Sequence, residues 1–238
     1  MLDRDLNSRM GATIGQPSQL DWERLAREAE ERSNTYGFLA AVYRAEPTPE
    51  LLRQIRAPSF FSAISSAGVK LGDDFLNLSK DQLLSELSLE YTRLFLGPGK
   101  HVPPHESVHT GSNGSLWGEP ASAVQRIVDS AGLTFKTDYH GMPDHICVEL
   151  EFMQQVTGAE SQAWMQKGND NAADCLYAES EFLNKHLAAW VPAFCDKVVN
   201  TAELCFYKEM AVLTVGFVQS EQEGVEQLIG QLPSTVRH

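Results

Sequence analysis

Glu90-Tyr-Thr-Arg-Leu-Phe-Leu-Gly-Pro-Gly-Lys100, the bend that follows it, and Pro143-Asp-His-Ile-Cys-Val-Glu-Leu-Glu-Phe-Met153 decide how the chain is read. Each end of this stretch carries apolar residues at helical spacing, and the polar residues gather where the helices meet the bend. Leu84, Leu87, Tyr91, Leu94 and Phe95 form one stripe. Gly97-Pro98-Gly99 ends it, because glycine accepts left-handed backbone angles and proline cannot continue a helical hydrogen-bond ladder. Beyond Pro143, Asp144 is placed to cap a helix whose apolar face, Ile146 to Thr157 with Val148, Phe152 and Val156 beside it, is wide enough for a central, buried position. His145 would then be the first helical residue, half exposed, with Glu149 one turn later on the same side.

Working outward, the spacing predicts helices over 20–45, 49–56 and 58–67, the last two with proline near the first turn. Ser79-x-x-Gln82 is a capping-box signature that opens the helix running to Leu96. Further helices are expected from Glu119 to Ala131, over 171–190, over 192–207 after a break at Trp190-Val191-Pro192, and over 209–232. No strand alternation stands out. The fold class expected is all-α, a helical bundle of about nine to eleven helices. Residues 1–19 lack periodicity and read as a flexible N-terminal arm, leaving 20–238 as a single domain. Within it, subregions 20–99 and 118–238 are joined by a hinge loop, 100–117, rich in Pro and Gly.

The 238 residues carry 19 Lys+Arg against 32 Asp+Glu, a formal net charge of −13. Such a balance repels nucleic-acid backbones and anionic membrane surfaces, and attracts cationic peptides. Four separated cysteines, Cys147, Cys175, Cys195 and Cys205, form no C-x-x-C pair and read as buried free thiols in a reducing compartment. No apolar run reaches the length of a signal peptide or a membrane span, and no Arg-Arg pair occurs near the N-terminus, so a cytoplasmic location is expected.

Three local patterns could carry chemistry. His105-Glu106-Ser107-Val108-His109 spells H-E-x-x-H, which would make a metal-dependent hydrolase if both histidines sat one turn apart on a stable helix. Pro103-Pro104 before it and Gly111 and Gly114 after it leave too little helix, so the string reads as coincidence. Gly97-Pro98-Gly99-Lys100 lacks the strand, the spacing and the Ser/Thr of a phosphate loop, and reads as a helix stop. Asp144, His145 and Glu149 could be an acid–base cluster, but no nucleophile pattern accompanies them, so a polar helix end lining a groove is preferred. Phe182, Leu183, His186, Leu187 and Trp190 read as a core stripe with His186 at its edge.

Glu90-Tyr-Thr-Arg-Leu-Phe-Leu-Gly-Pro-Gly99, Val102-Pro-Pro-x-Glu-Ser-Val108 with His105 at the open position, Pro143-Asp-His-Ile-x-Val-Glu-Leu-Glu-Phe-Met153 and Phe182-Leu-x-x-His-Leu-x-x-Trp-Val-Pro192 together resemble the TorD/DmsD family of molybdoenzyme maturation chaperones. The likeness covers about residues 20–207. His105 and His109 stand where the family has aromatic residues, which is what creates the H-E-x-x-H string. The resemblance implies a non-enzymatic cytoplasmic chaperone. It would bind the twin-arginine signal peptide of an apo-molybdoenzyme, with the mature part as a further contact, assist cofactor insertion and delay export until maturation is complete. It also implies a monomer or a domain-swapped dimer, no cofactor of its own, and a possible guanine-nucleotide association. By matching position, Tyr91, Leu94, Pro104, Glu106, Ser107, Asp144 and His145 would line the peptide site. The chemistry of guanidinium recognition adds Glu149 and Phe95: carboxylates receive the arginines and an apolar floor receives the run that follows. The competing readings are the hydrolase and a structural subunit of a redox complex.

Overall fold

The computed structural model describes residues 21–111, 118–133 and 141–232. The expected N-terminal arm, 1–19, and residues 112–117 of the hinge loop lie outside the described residues. The described chain is helical: α1 (Trp22–Arg44), α2 (Pro49–Ile55), α3 (Pro58–Ser66), α4 (Asp73–Asn77), α5 (Lys80–Tyr91), α6 (Glu106–Thr110), α7 (Glu119–Ser130), α8 (Ile146–Met165), α9 (Asn169–Phe182), α10 (Ala188–Thr201) and α11 (Cys205–Gln231). Two π-helical turns, Thr92–Leu96 and Leu183–Leu187, continue α5 and join α9 to α10. The only strand-like feature among the described residues is an antiparallel bridge between His105 and His145. The all-α expectation is met.

The helix starts follow local chemistry. Asp21 accepts the Arg24 amide at 3.0 Å, and Thr48 accepts the Leu51 amide at 3.1 Å ahead of Pro49. Ser79 and Gln82 close the expected capping box in both directions. At the other end of α5 the ladder widens, with the Gly97 amide reaching back to the Thr92 carbonyl at 2.6 Å. Gly99 then takes φ +110°, which turns the chain into the 100–105 segment.

Four expectations change. α4 and α6 were not foreseen: each has five residues, too short to show a period. Asp144 does not cap the helix it precedes. His145 does, its Nδ1 accepting the Cys147 amide at 3.1 Å, and Asp144 turns its carboxylate to α6. The expected break at Trp190-Val191-Pro192 is absent, with Pro192 inside α10 and the true break at Ala202–Leu204. Interior proline costs about 3 kcal/mol. Here the π turn just upstream has already rearranged the ladder, and Trp190, Val191 and Phe194, all fully buried, hold the helix in place. The expected boundary at Glu209 likewise falls inside α11, whose face Phe206, Tyr207, Met210, Ala211 and Thr214 is continuous and buried.

α1 packs along α8 and touches α11; α8 packs on α9, and α10 on α11. An aromatic cluster, Tyr43, Tyr91, Phe95, Phe194 and Tyr207, ties α1, α5, α10 and α11 together with ring centroids 5.0–6.4 Å apart. Glu90 and Arg93 clip the α10–α11 turn to this core. Glu90 accepts from Arg93 at 2.7 and 2.8 Å and from the amides of Glu203 and Leu204 at 2.5 and 3.3 Å, while Arg93 donates to the Thr201 carbonyl at 3.0 Å. Burial alone would raise the Glu90 carboxyl, but these donors outweigh it and hold it below its ordinary value. Its contribution is therefore present at neutral pH and fades as pH falls through the lowered folded value. Glu90→Gln is expected to cost about 1–3 kcal/mol at pH 7, less at pH 3.5, in paired urea titrations. An equal cost at both pH values would show that charge is irrelevant at this clip.

Candidate functional site

The two halves of the opening stretch meet along a short polar seam. The 102–107 segment runs beside 142–146: the Ile146 amide donates to the Pro104 carbonyl at 2.9 Å, and the Glu106 amide to the Asp144 carbonyl at 3.0 Å. The Val102 amide holds the segment to the π turn through the Leu94 carbonyl at 2.7 Å. Asp144 Oδ2 accepts the Ser107 amide at 2.9 Å, so a carboxylate from the start of α8 caps α6 across the seam. The His105 ring lies 3.7 Å from Asp144 Oδ1 and edge-on to His145 with centroids 4.9 Å apart. Burial would raise the Asp144 carboxyl; contacts from His105 and Ser107 prevail and hold it low. His145 is driven the other way, down to about 3, first by burial and then by the neighbouring His105. That agrees with its geometry, since an Nδ1 that accepts an amide proton carries none itself.

Behind the seam, Glu106 Oε2 meets His186 Nδ1 at 2.8 Å, and Trp190 Nε1 donates to Glu149 Oε2 at 2.9 Å. Glu149 is fully buried, and its carboxyl is pushed well above the usual range by burial and then by the adjacent Glu106. Both effects favour the neutral form of the Glu149 carboxyl. Asp144 Oδ1, Ser107 Oγ and Glu149 Oε1 make no hydrogen bond within the described chain.

Six of the nine expected site residues, Pro104, Glu106, Ser107, Asp144, His145 and Glu149, thus converge on this seam. Tyr91, Leu94 and Phe95 lie in the adjoining core; the Tyr91 hydroxyl donates to the Tyr43 carbonyl at 2.9 Å and feels the electrostatic influence of Cys147 at the start of α8. All but His145 are buried. Sequence reading missed His186 and Trp190, taken as a plain core stripe. Both are buried as that reading requires, yet each also hydrogen-bonds a carboxylate of the seam. Their i, i+4 spacing on one helix was the available signal.

The H-E-x-x-H string does not form a metal-binding pair. α6 has five residues, His105 caps it in an extended conformation, and Glu106 is engaged by His186. His109 turns away, its Nε2 donating to the Pro103 carbonyl at 2.8 Å and its ring stacked 5.4 Å from Trp190. Among the described residues no cluster of His, Cys, Asp and Glu has metal-holding geometry. Nor is any described helix long and apolar enough to cross a membrane.

A family model described as nitrate reductase delta subunit matches residues 63–196, more than half of the chain. The chain is similar to the chaperone protein TorD of Vibrio cholerae, 24% identical over 211 residues that cover 84% of this chain and 94% of that one. It is similar also to TorD of Photobacterium profundum, 25% identical over 201 residues covering 80% and 92%. A solved structure of a proposed redox enzyme maturation protein from Archaeoglobus fulgidus covers 90% of this chain and 99% of its own, at 19% identity and a TM-score of 0.42. The chain belongs to the nitrate reductase delta subunit family, the TorD family of non-catalytic redox-enzyme maturation chaperones.

Proposed function

We propose that this protein is a cytoplasmic chaperone that binds the twin-arginine signal peptide of an apo-molybdoenzyme, supports cofactor insertion and holds back export until the enzyme is mature. The observation that carries this reading is the seam itself: three carboxyl groups, Asp144, Glu106 and Glu149, meet where the five-residue α6 abuts the long α8, beside an aromatic core. In this reading the leader's two guanidinium groups pair with Asp144 and with Glu106 or Glu149, using the fork geometry that arginine offers a carboxylate. The apolar run that follows packs toward Tyr91, Leu94 and Phe95. Because these groups are covered, binding requires the 102–110 segment to lift from α8. Two backbone hydrogen bonds across the seam and the Asp144 cap attach it to the start of α8, while Val102, Glu106 and His109 tie it to Leu94, His186 and Trp190, so the peptide's own contacts have to replace these as well.

Calorimetry with a synthetic leader peptide carrying Arg-Arg and an apolar run tests this. Asp144→Ala is expected to weaken binding at least tenfold, about 1.4 kcal/mol or more. A Lys-Lys peptide is expected to bind less tightly to the unchanged protein, since an ammonium cannot bridge two oxygens in a plane. Raised salt is expected to slow association, given the net charge of −13. Equal affinity for Asp144→Ala and the parent would remove Asp144 from the site.

A further inference from the structure

One histidine of the H-E-x-x-H string is engaged through both of its ring nitrogens. His109 Nε2 donates to the Pro103 carbonyl at 2.8 Å, inside the 102–110 segment, and Nδ1 lies 3.3 Å from the Lys197 ammonium on α10. Only a neutral ring with its proton on Nε2 makes both contacts, since Nδ1 must then accept. The ring also stacks on Trp190 and stands edge-on to Phe194, with centroids 5.4 and 5.6 Å apart, so this side chain holds α6 against α10. A proton on Nδ1 would aim a charged N–H at the ammonium and turn attraction into repulsion. The Pro103 bond would survive, because Nε2 donates in both states, but it lies within the segment and fastens it to no other helix. The face of Trp190 by itself favours a charged ring. Against that, burial lowers the ring's proton affinity most; the Pro103 carbonyl works the other way, and Lys197 and His105 bring it down further, leaving it below its ordinary value. Other charged groups on the surrounding elements are engaged elsewhere: Glu106 with His186, Glu149 with Trp190, Asp196 with Asn200, and on α7 Glu119 with Arg126 and Asp129 with Gln125.

We propose that His109 latches the 102–110 segment to α10 while its ring is neutral and frees it on taking up a proton, so that acidification opens the leader site. The folded ring binds its proton less readily than an unfolded one. The latch is therefore closed above about pH 6.5 and weakens as pH falls through the lowered value. Between pH 7.5 and 5.5 Asp144, held below its ordinary value, stays ionised and ready for a guanidinium. His145, at about 3, takes up no proton in that range. Admission of the leader rests on the leader reading; the latch itself does not.

Hydrogen exchange of the full chain, followed by NMR and corrected for intrinsic rates, reads the latch at the amides of Glu106 and Ser107, both bonded to Asp144. Their protection is expected to fall about fivefold or more between pH 7.5 and 5.5. His109→Phe keeps a ring for Trp190 and has no proton to gain, so its protection should change less than about twofold. Lys197→Met, at an exposed position, reads the same coupling without touching the ring. The His109 ring resonance should titrate with a midpoint below about 6.5 in the parent and move upward in this variant. Protection that holds or rises in acid, an equal fall in His109→Phe, or a parent midpoint at or above about 6.5 would overturn the proposal. The Arg-Arg leader peptide is expected to bind the parent about threefold more tightly at pH 5.5 than at pH 7.5, and His109→Phe equally at both. A pH-dependent protection with no leader bound at either pH would overturn the leader reading alone. Leader binding that depends on Asp144 but not on pH, with constant protection, would overturn the latch alone.

Discussion

Arg32→Met is expected to destabilise the protein by about 3–5 kcal/mol at pH 7.5, the range found when one partner of a buried ionic network is removed. The cause is less the lost attraction than what stays behind. Glu160, Glu179 and Glu221 remain buried at the meeting of α8, α9 and α11 with no cation among them. Arg32 itself shows how strongly the four groups are bound. Burial would make its guanidinium easier to deprotonate, yet the fields of Glu179, Glu160 and Glu221 reverse that and push it higher still. Without it the carboxylates can survive only as neutral acids. Their folded-state values rise above the unfolded one, so any stability they retain exists at low pH and is lost as pH climbs. Urea denaturation at pH 5.5 and pH 8 should therefore show a smaller deficit in acid. A deficit that does not change with pH would mean that the network's charge contributes little. Adding Glu179→Gln to Arg32→Met should recover part of the loss, because it removes the most deeply buried of the orphaned charges.

Trp190→Ala is the second large effect, with about 3–5 kcal/mol expected from the space left by a fully buried indole. Trp190→Phe separates the hydrogen bond from the volume. It keeps an aromatic ring against His109 and Phe194 but removes the donor to Glu149, at a cost of about 1–3 kcal/mol. The indole N–H favours the ionised form of Glu149. Its loss should therefore hurt more at pH 8.5, where Glu149 is forced toward ionisation, than at pH 6. The parent protein should itself lose stability across that rise, since the folded Glu149 holds its proton more tightly than the unfolded one. Glu149→Gln should flatten this dependence. A parent curve with no slope would mean that burial does not raise the Glu149 carboxyl in the fold.

Much of the fold was legible because long helices advertise themselves. α1, α5, α7 and α8 carry sustained apolar periods, and the Ser79–Gln82 box and the prolines at 49 and 58 mark starts with local chemistry alone. The ends between Asn169 and Gln231 were misread for a physical reason. Pro192 signals a stop in isolation, and only its packing among buried Trp190, Val191 and Phe194 shows why α10 tolerates it. At the seam the carboxylates singled out in the sequence do come together, but one of their bonds was misread. Asp144 ahead of an apolar helix is by local rules its cap, yet that role went to His145 once α6 arrived from 37 residues earlier in the chain with a free amide to satisfy.

The sequence by itself determined the helical class, the core faces and the residue types available at the Glu90–Met153 stretch, because these depend on periods and neighbours within a few residues. Tertiary structure alone decided which charges meet. Arg32 finds Glu160, Glu179 and Glu221 across separations of 128 to 189 residues, and Glu106 finds His186 across 80. No local spacing encodes such pairings, since buried charges are matched by the need to satisfy each desolvated group wherever packing brings it.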